Sequence, residues 1–217
     1  MAMEVLEAIQ TRRSVRDFDA RPVSKDLVME ILAAATRSPS GANGQPWEIF
    51  VASGATLEKI RHAYVERANS APAGPPPVLN LPPVVMERYM AGRNARLKLM
   101  GLDPDDPASG KVFVDMAARL FGAPVVAVIC MDKASSAYLD LGLLVQSICL
   151  AALHFGVDSL IASQLVAQPD ILRPALAIPD SLNIVTGVAL GYARPGSPVN
   201  AFRSFRRPIE EVVRFRE

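Results

Sequence analysis

At 217 residues, half of them apolar, the chain is long enough to fill the core of one domain and has no need of a second. Its 23 Lys and Arg against 22 Asp and Glu leave a formal charge of +1, which excludes a global field for nucleic acid or an anionic membrane and confines basic chemistry to local clusters. The only thiols, Cys130 and Cys149, lie in apolar stretches, offer no disulfide framework or CxxC metal spacing, and read as core residues of a protein in a reducing compartment.

The opening "MAMEVLEAIQTRR" lacks the apolar run of a signal peptide and reads as an amphipathic helix over 3–13, so a cytoplasmic location is expected. Leu27, Val28, Ile31, Leu32 and Ala35 recur at helical spacing over 25–37, with Ser24 as N-cap. Strands are expected at "WEIFVAS" (47–53), "APVVAVICM" (123–131), "DSLIAS" (158–163) and "NIVTGVALGY" (183–192), where β-branched and aromatic residues concentrate. Helical patterns lie between them at about 55–69, 84–101, 108–120, 136–155 and 168–177. The alternation predicts a sheet covered by helices, α+β or α/β.

Residues 71–83, "APAGPPPVLNLPP", hold six prolines and read as an extended surface loop, either a lid or a connector. The stretch "SAYLDLGLLVQSICLAALHFG" (136–156) carries Asp140, Gln146 and Ser147, which are expensive at membrane depth; it is expected to be buried in the core or between two subunits. The tail from Ala193 carries five arginines between Arg203 and Arg216 and is expected to wrap over its own domain or a partner.

Several chemistries are set aside. His62 and His154 have no metal-ligand spacing, and GxSxG, GxxxxGK[ST] and post-strand GxGxxG motifs are all missing. With no side-chain nucleophile signalled, an enzyme of this sequence would rely on a bound cofactor.

Two segments point to one. In "TRRSVRDF" (11–18), Arg12, Arg13 and Arg16 are three and four residues apart, so continued helical geometry would bring their guanidinium forks together beside Ser14 as an anion site. The alternative is a solvated face paired with Asp17 or Asp19. In "SPSGANGQPWEIF" (38–50), Gly41 and Gly44 would let the main chain approach a flat ligand, while Ser40 and Asn43 offer hydrogen bonds.

"RRSVRDF" followed about 25 residues later by "SPSGANGQPW" resembles the FMN-dependent nitroreductase family, and the likeness runs through the apolar helix to "ALGYA" and the "R-x-P-I-E-E-V-V" tail. It implies a single domain over 1–217, with a variable lid region at about 64–110 and a C-terminal extension at about 193–217. The fold implied is a layered α+β one, with a central mixed, mostly antiparallel sheet flanked by helices in an intertwined homodimer. By the same resemblance, Arg12, Arg13, Ser14 and Arg16 hold the phosphate, ribityl chain and pyrimidine edge of FMN. Pro39, Ser40, Gly41 and Asn43 reach the isoalloxazine from the other subunit, and Arg206 reaches the phosphate. Gln164, in "ASQLVA", matches the place that faces the flavin N5 and O4 side, although the Pro-x-Glu-Gly pattern of some relatives is missing.

Middle and tail resemble a nitrobenzoate reductase-like subgroup. Arg88, Arg93, Arg96 and Lys98 on the 84–101 helix would either attract a substrate carboxylate or donor phosphates, or form a solvated basic face. Tyr64 and Tyr89 are candidates for stacking on a substrate or for packing. The activity implied is NAD(P)H-dependent, with hydride passing through flavin N5 to a small nitroaromatic or quinone-like acceptor and no catalytic side chain. The rivals are an ene reductase, dehalogenase or dehydrogenase of the same superfamily, and a non-enzymatic flavin-binding protein. No metal, nucleic-acid or membrane partner is expected.

Overall fold

The structure is a computed structural model and describes residues 4–70 and 81–217. Within them β1 (Trp47–Ser53), β2 (Val125–Asp132), β3 (Asp158–Ala162) and β4 (Leu182–Gly191) form one sheet in the order β1-β2-β4-β3, each neighbouring pair antiparallel. Around it lie α1 (Val5–Thr11), α2 (Lys25–Ala35), α3 (Gly54–Ser70), α4 (Pro83–Leu99), α5 (Lys111–Ala118), α6 (Tyr138–His154) and α7 (Pro169–Leu176). The antiparallel sheet decides for α+β; parallel pairing is confined to a bridge between Ser14 and Ser159.

β2 lies inside the sheet because every residue from Val125 to Met131 is apolar and buried, so both of its faces are covered. The strand's alternation sorts those faces. Val125, Ala127, Ile129 and Met131 pack with α2 and α6, whereas Val126, Val128 and Cys130 pack with α3 and α7. Both cysteines are buried and unpaired.

The strands and helices follow the expected boundaries closely, with one consequential exception. α1 ends at Thr11, and Arg12 leaves helical geometry with ψ 131°, so the arginines do not converge along a helix face. The chain instead runs extended along the edge of the sheet: the Val15 N–H donates to the Ser159 carbonyl at 3.0 Å, and Val15 and Phe18 are fully buried. Burial of those two side chains outweighs continuation of a short helix. Gly191 makes this path possible, since a Cβ there would stand 2.6 Å from Pro124 Cδ and 2.8 Å from Phe18 Cδ1.

α6 buries Leu141, Leu144, Ile148 and Cys149 against the sheet. Its opposite side is open: Leu139 is 77% exposed, and Leu143 and Phe155 are exposed beside Val5, Leu6 and Ile9 of α1. The tail beyond Phe202 is exposed throughout, with the Phe215 ring wholly in solvent.

Residues 71–80 of the expected proline loop lie outside the described residues; Pro83 takes the first position of α4, where its missing N–H has no cost. Among the described residues no helix is long and apolar enough to cross a membrane, and no three His, Cys, Asp or Glu side chains stand together as metal ligands would.

Candidate functional site

Arg12, Arg13, Ser14 and Arg16 line a cavity of about 110 Å³ with three residues distant in sequence, Arg96 from α4 and Phe202 and Ser204 from the tail. The extended segment is held from behind. The Asn200 side chain, buried, accepts from the N–H groups of Arg16 (2.9 Å) and Asp17 (3.2 Å), and its amide donates to the Asp17 carbonyl at 2.7 Å. Arg194 donates through Nε to Asp17 Oδ1 at 2.9 Å and through Nη2 to the Phe18 carbonyl at 3.0 Å. Asp17 is thereby engaged away from the motif arginines, and the self-paired solvated face is not what forms.

Among the described residues no carboxylate lines this cavity. Arg13 Nε and Arg96 Nε are buried without a hydrogen-bond partner among the described residues, and the Arg16 guanidinium donates to the Ser14 carbonyl at 3.2 Å. Burial, with the neighbouring Arg96 charge, pushes Arg16 down to about 10; burial also lowers Arg96. Four guanidinium groups facing one small space without a counter-ion are a site for a multiply charged anion such as a phosphate. At about 110 Å³ it is smaller than the roughly 300–1,000 Å³ of a site enclosing a whole organic ligand, so it fits one end of such a ligand. Arg12 and Arg13 also border a second cavity of about 290 Å³, reaching Glu7, Asp158 and Cys149, where carboxylates are present.

The loop from Ser38 to Gly44 is built differently. The buried Ser38 hydroxyl lies 2.8 Å from the Ala35 carbonyl and 2.7 Å from Ser147 Oγ, and the Gly41 N–H donates to Asp140 Oδ2 at 3.2 Å. Ser40 Oγ accepts from the Gln45 N–H at 3.0 Å. Left-handed backbone occurs in this loop at Ala42 (φ 49°), Asn43 (φ 56°) and Gln45 (φ 44°), not at its glycines. Pro39, Ser40, Gly41 and Asn43 line neither cavity, and Pro39, Gly41 and Asn43 are exposed on the surface of the single chain.

Gln164 is exposed on the 3₁₀ turn Ser163–Val166, which is held by the buried Leu165, and it lines neither cavity. That turn is fixed by Tyr64, whose hydroxyl donates to the Leu165 carbonyl at 3.2 Å and accepts from the Gln168 N–H at 3.2 Å. Tyr64 is buried, its phenol pushed up to about 12 chiefly by that burial, and it is a packing residue; Tyr89 is exposed. Arg206 is exposed and donates to Ser204 Oγ at 2.6 Å, so it meets the first cavity only through Ser204.

Sequence reasoning missed Phe202, Ser204 and Asn200, and treated Arg96 only as one charge of a basic helix. Asp140 and Ser147, which spoke against a membrane helix, are the anchors of the Ser38–Gly44 loop. The available signal was their position on one side of an otherwise apolar helix.

Residues 9–192 match the sequence model of the Nitroreductase family. The chain is 32% identical over 216 residues to nitrobenzene nitroreductase of Ectopseudomonas oleovorans, covering 96% of this chain and 95% of the relative. It is 29% identical over 213 residues to a 4-nitrobenzoate reductase of Pseudomonas putida, covering 95% and 93%. The crystal structure of the FMN and NADPH-dependent nitroreductase NfnB from Sphigopyxis sp. strain HMH superposes with a TM-score of 0.89 at 27% identity, over 99% of this chain and 100% of that one. A carboxylate-free arginine cavity on an antiparallel α+β sheet thus coincides with a match over most of the sequence, and the chain belongs to the nitroreductase family.

Proposed function

We propose that this chain is an FMN-dependent oxidoreductase that uses NAD(P)H to reduce a small nitroaromatic or quinone-like acceptor, working as a cytoplasmic homodimer. The observation that supports the reading is the cavity of Arg12, Arg13, Ser14, Arg16 and Arg96, with two buried guanidinium nitrogens that have no acceptor among the described residues. The names of the nitrobenzene and 4-nitrobenzoate reductases support the acceptor class, and that of NfnB supports the cofactor and donor.

FMN, when bound, supplies the redox chemistry, accepting hydride from the nicotinamide at N5 and passing two electrons to the acceptor. The chain supplies position and charge. Arg12, Arg13, Ser14 and Arg16 would hold the phosphate, ribityl chain and pyrimidine edge, where a guanidinium favours developing negative charge. Arg206 would complete the phosphate side. Gln164, on its turn beside the sheet, would present main-chain groups toward the N5 and O4 side. Pro39, Ser40, Gly41 and Asn43 would come from a second copy. Two features of the single chain support that copy: the cavity accepts only one end of a flavin, and an apolar face of Leu6, Ile9, Leu139 and Phe155 is open to solvent. The lid region at about 64–110 and the extension at about 193–217 belong to the same reading, each adding one wall of the cavity through Arg96 and Phe202.

The test is direct. The purified protein is expected to be yellow, to bleach when NADH or NADPH is added without oxygen, and to recover its colour with nitrobenzoate or a quinone. Turnover of an activated alkene or haloaromatic with no nitro reduction would replace the acceptor class. A flavin that neither donor bleaches would remove the enzymatic reading, and a colourless monomer unable to take up FMN would remove the whole.

A further inference from the structure

We propose that Arg96 is a further phosphate-binding guanidinium of the cofactor site, contributed by α4, and that phosphate binding seats α4 against the body of the protein. The inference rests on the FMN reading above and adds a residue that lies outside the two N-terminal motifs and the tail motif.

Arg96 lines the cavity beside Arg12, Arg13 and Arg16, and among the described residues it forms no ion pair. Its Nε is buried without an acceptor. The guanidinium is positioned by aromatic packing: Cζ lies 5.2 Å from the Phe202 ring centroid and 5.5 Å from that of Phe113. Such packing orients the planar fork while leaving its N–H groups available to an anion. The Arg96 guanidinium and the Phe202 ring both lie over Gly92, one turn earlier on α4: a Cβ there would stand in ordinary contact distance, 3.6 Å from Arg96 Nη1 and 3.9 Å from Phe202 Cζ.

The second half of the proposal follows from how little else holds α4. Of its residues only Leu97 is buried; residues 92–96 are half-buried beside it and Arg93 donates to the Pro104 carbonyl at 3.4 Å, so the few contacts that hold α4 gather around Arg96 and Leu97. Without an anion the Arg96 anchor works against Arg16, a like charge at the same cavity. A dianionic phosphate between them converts repulsion into two attractions. A phosphomonoester also occurs as the 2′-phosphate of NADPH; the shared lining with Arg12, Arg13 and Ser14 assigns Arg96 to the flavin.

The experiment compares FMN with riboflavin, which lacks the phosphate, on the full-length protein freed of flavin, by quenching of flavin fluorescence. In R96M the affinity for FMN is expected to fall about 10- to 100-fold and that for riboflavin to stay within about twofold, with R96K between the two because an ammonium keeps the charge without the fork. Hydrogen exchange of the amides in 86–99 is expected to slow with FMN more than with riboflavin in the unaltered protein, and equally with both in R96M. An R96M protein that keeps its FMN-to-riboflavin ratio, or loses both flavins alike, overturns the proposal. So does a raised KM for NADPH with that ratio intact, which would move Arg96 to the donor. If R96M does not fold, R96K carries the same ratio test. An unaltered protein that binds FMN and riboflavin equally, or neither, overturns the underlying phosphate reading, a result distinct from failure at Arg96 alone.

Discussion

The arginine segment at 12–16 and the loop at 38–44 both leave regular structure, both are expected at one cofactor, and they are stabilised in opposite ways. The first is complete within one chain. Asn200 and Arg194 brace its backbone, Gly191 admits Phe18, and the remaining tension is electrostatic, between Arg16 and Arg96. The second is anchored by Ser38 at its base and by Asp140 at Gly41, carries its tension in left-handed φ angles at Ala42 and Asn43, and is exposed from Gly41 to Gly44. A charge mismatch is relieved by an anion, whereas left-handed backbone strain is not, so under the proposed function the first region answers to a phosphate and the second to a second copy.

The largest effect is expected from breaking the second requirement alone. Leu139→Arg places a charge on the open face of α6, at a side chain too exposed to matter to the fold of one chain. The variant is expected to sediment as a folded monomer and to bind FMN at least about 100-fold more weakly, because half of the ring's enclosure is then missing. A folded monomer with full FMN affinity would mean that the Ser38–Gly44 loop serves its own chain.

Removing part of the first region is expected to act less severely. Arg12→Ala should weaken FMN binding about 10- to 100-fold, the range of a lost charge-assisted hydrogen bond, while leaving the reduction rate of saturated enzyme within about threefold. Rapid-reaction kinetics at saturating FMN separates the two. Arg16→Met sharpens the contrast by pulling in opposite directions. It should weaken FMN binding roughly tenfold, yet stabilise the flavin-free protein by about 1 kcal/mol, or about 2–4 °C, because a buried cation repelled by Arg96 is gone. Thermal melts with and without FMN check both signs.

The regular elements were legible because their signals are local. The continuous apolar run of β2 could only be an interior strand, and the 3.6-residue period of α2 could only cover it. The first helix, expected to run to 13, stops at Thr11 because of a distant competing influence: Ser159 and the cavity that accepts Phe18 lie more than 100 positions away, and no local periodicity reports them. The site divides along the same line. Arg12, Arg13, Ser14 and Arg16 stand in a compact motif, whereas Arg96 and Phe202 meet only when α4 and the tail fold over it. A lone arginine in a basic helix looks the same whether it faces water or a phosphate. In the loop motif positive φ falls on Ala42, Asn43 and Gln45 rather than on Gly41 or Gly44, and no local pattern in the sequence reports that.

The smallest predicted effect tests whether the loop's tension has any use. Ala42 sits at φ 49°, where a Cβ costs about 1–2 kcal/mol that glycine would not incur. Ala42→Gly recovers this and gives back roughly half through the larger entropy of the unfolded chain, for a net gain of about 0.5–1 kcal/mol in a denaturant melt. If the left-handed turn is needed only as a shape, FMN affinity should change less than twofold, because glycine adopts that shape freely. If affinity instead falls about tenfold while stability rises, the alanine keeps the turn rigid before the flavin arrives, and the strain is a form of preorganisation that glycine discards. The arginine segment has no counterpart to that second outcome: its tension resides in charge, and substituting its backbone residues leaves the repulsion between Arg16 and Arg96 where it was.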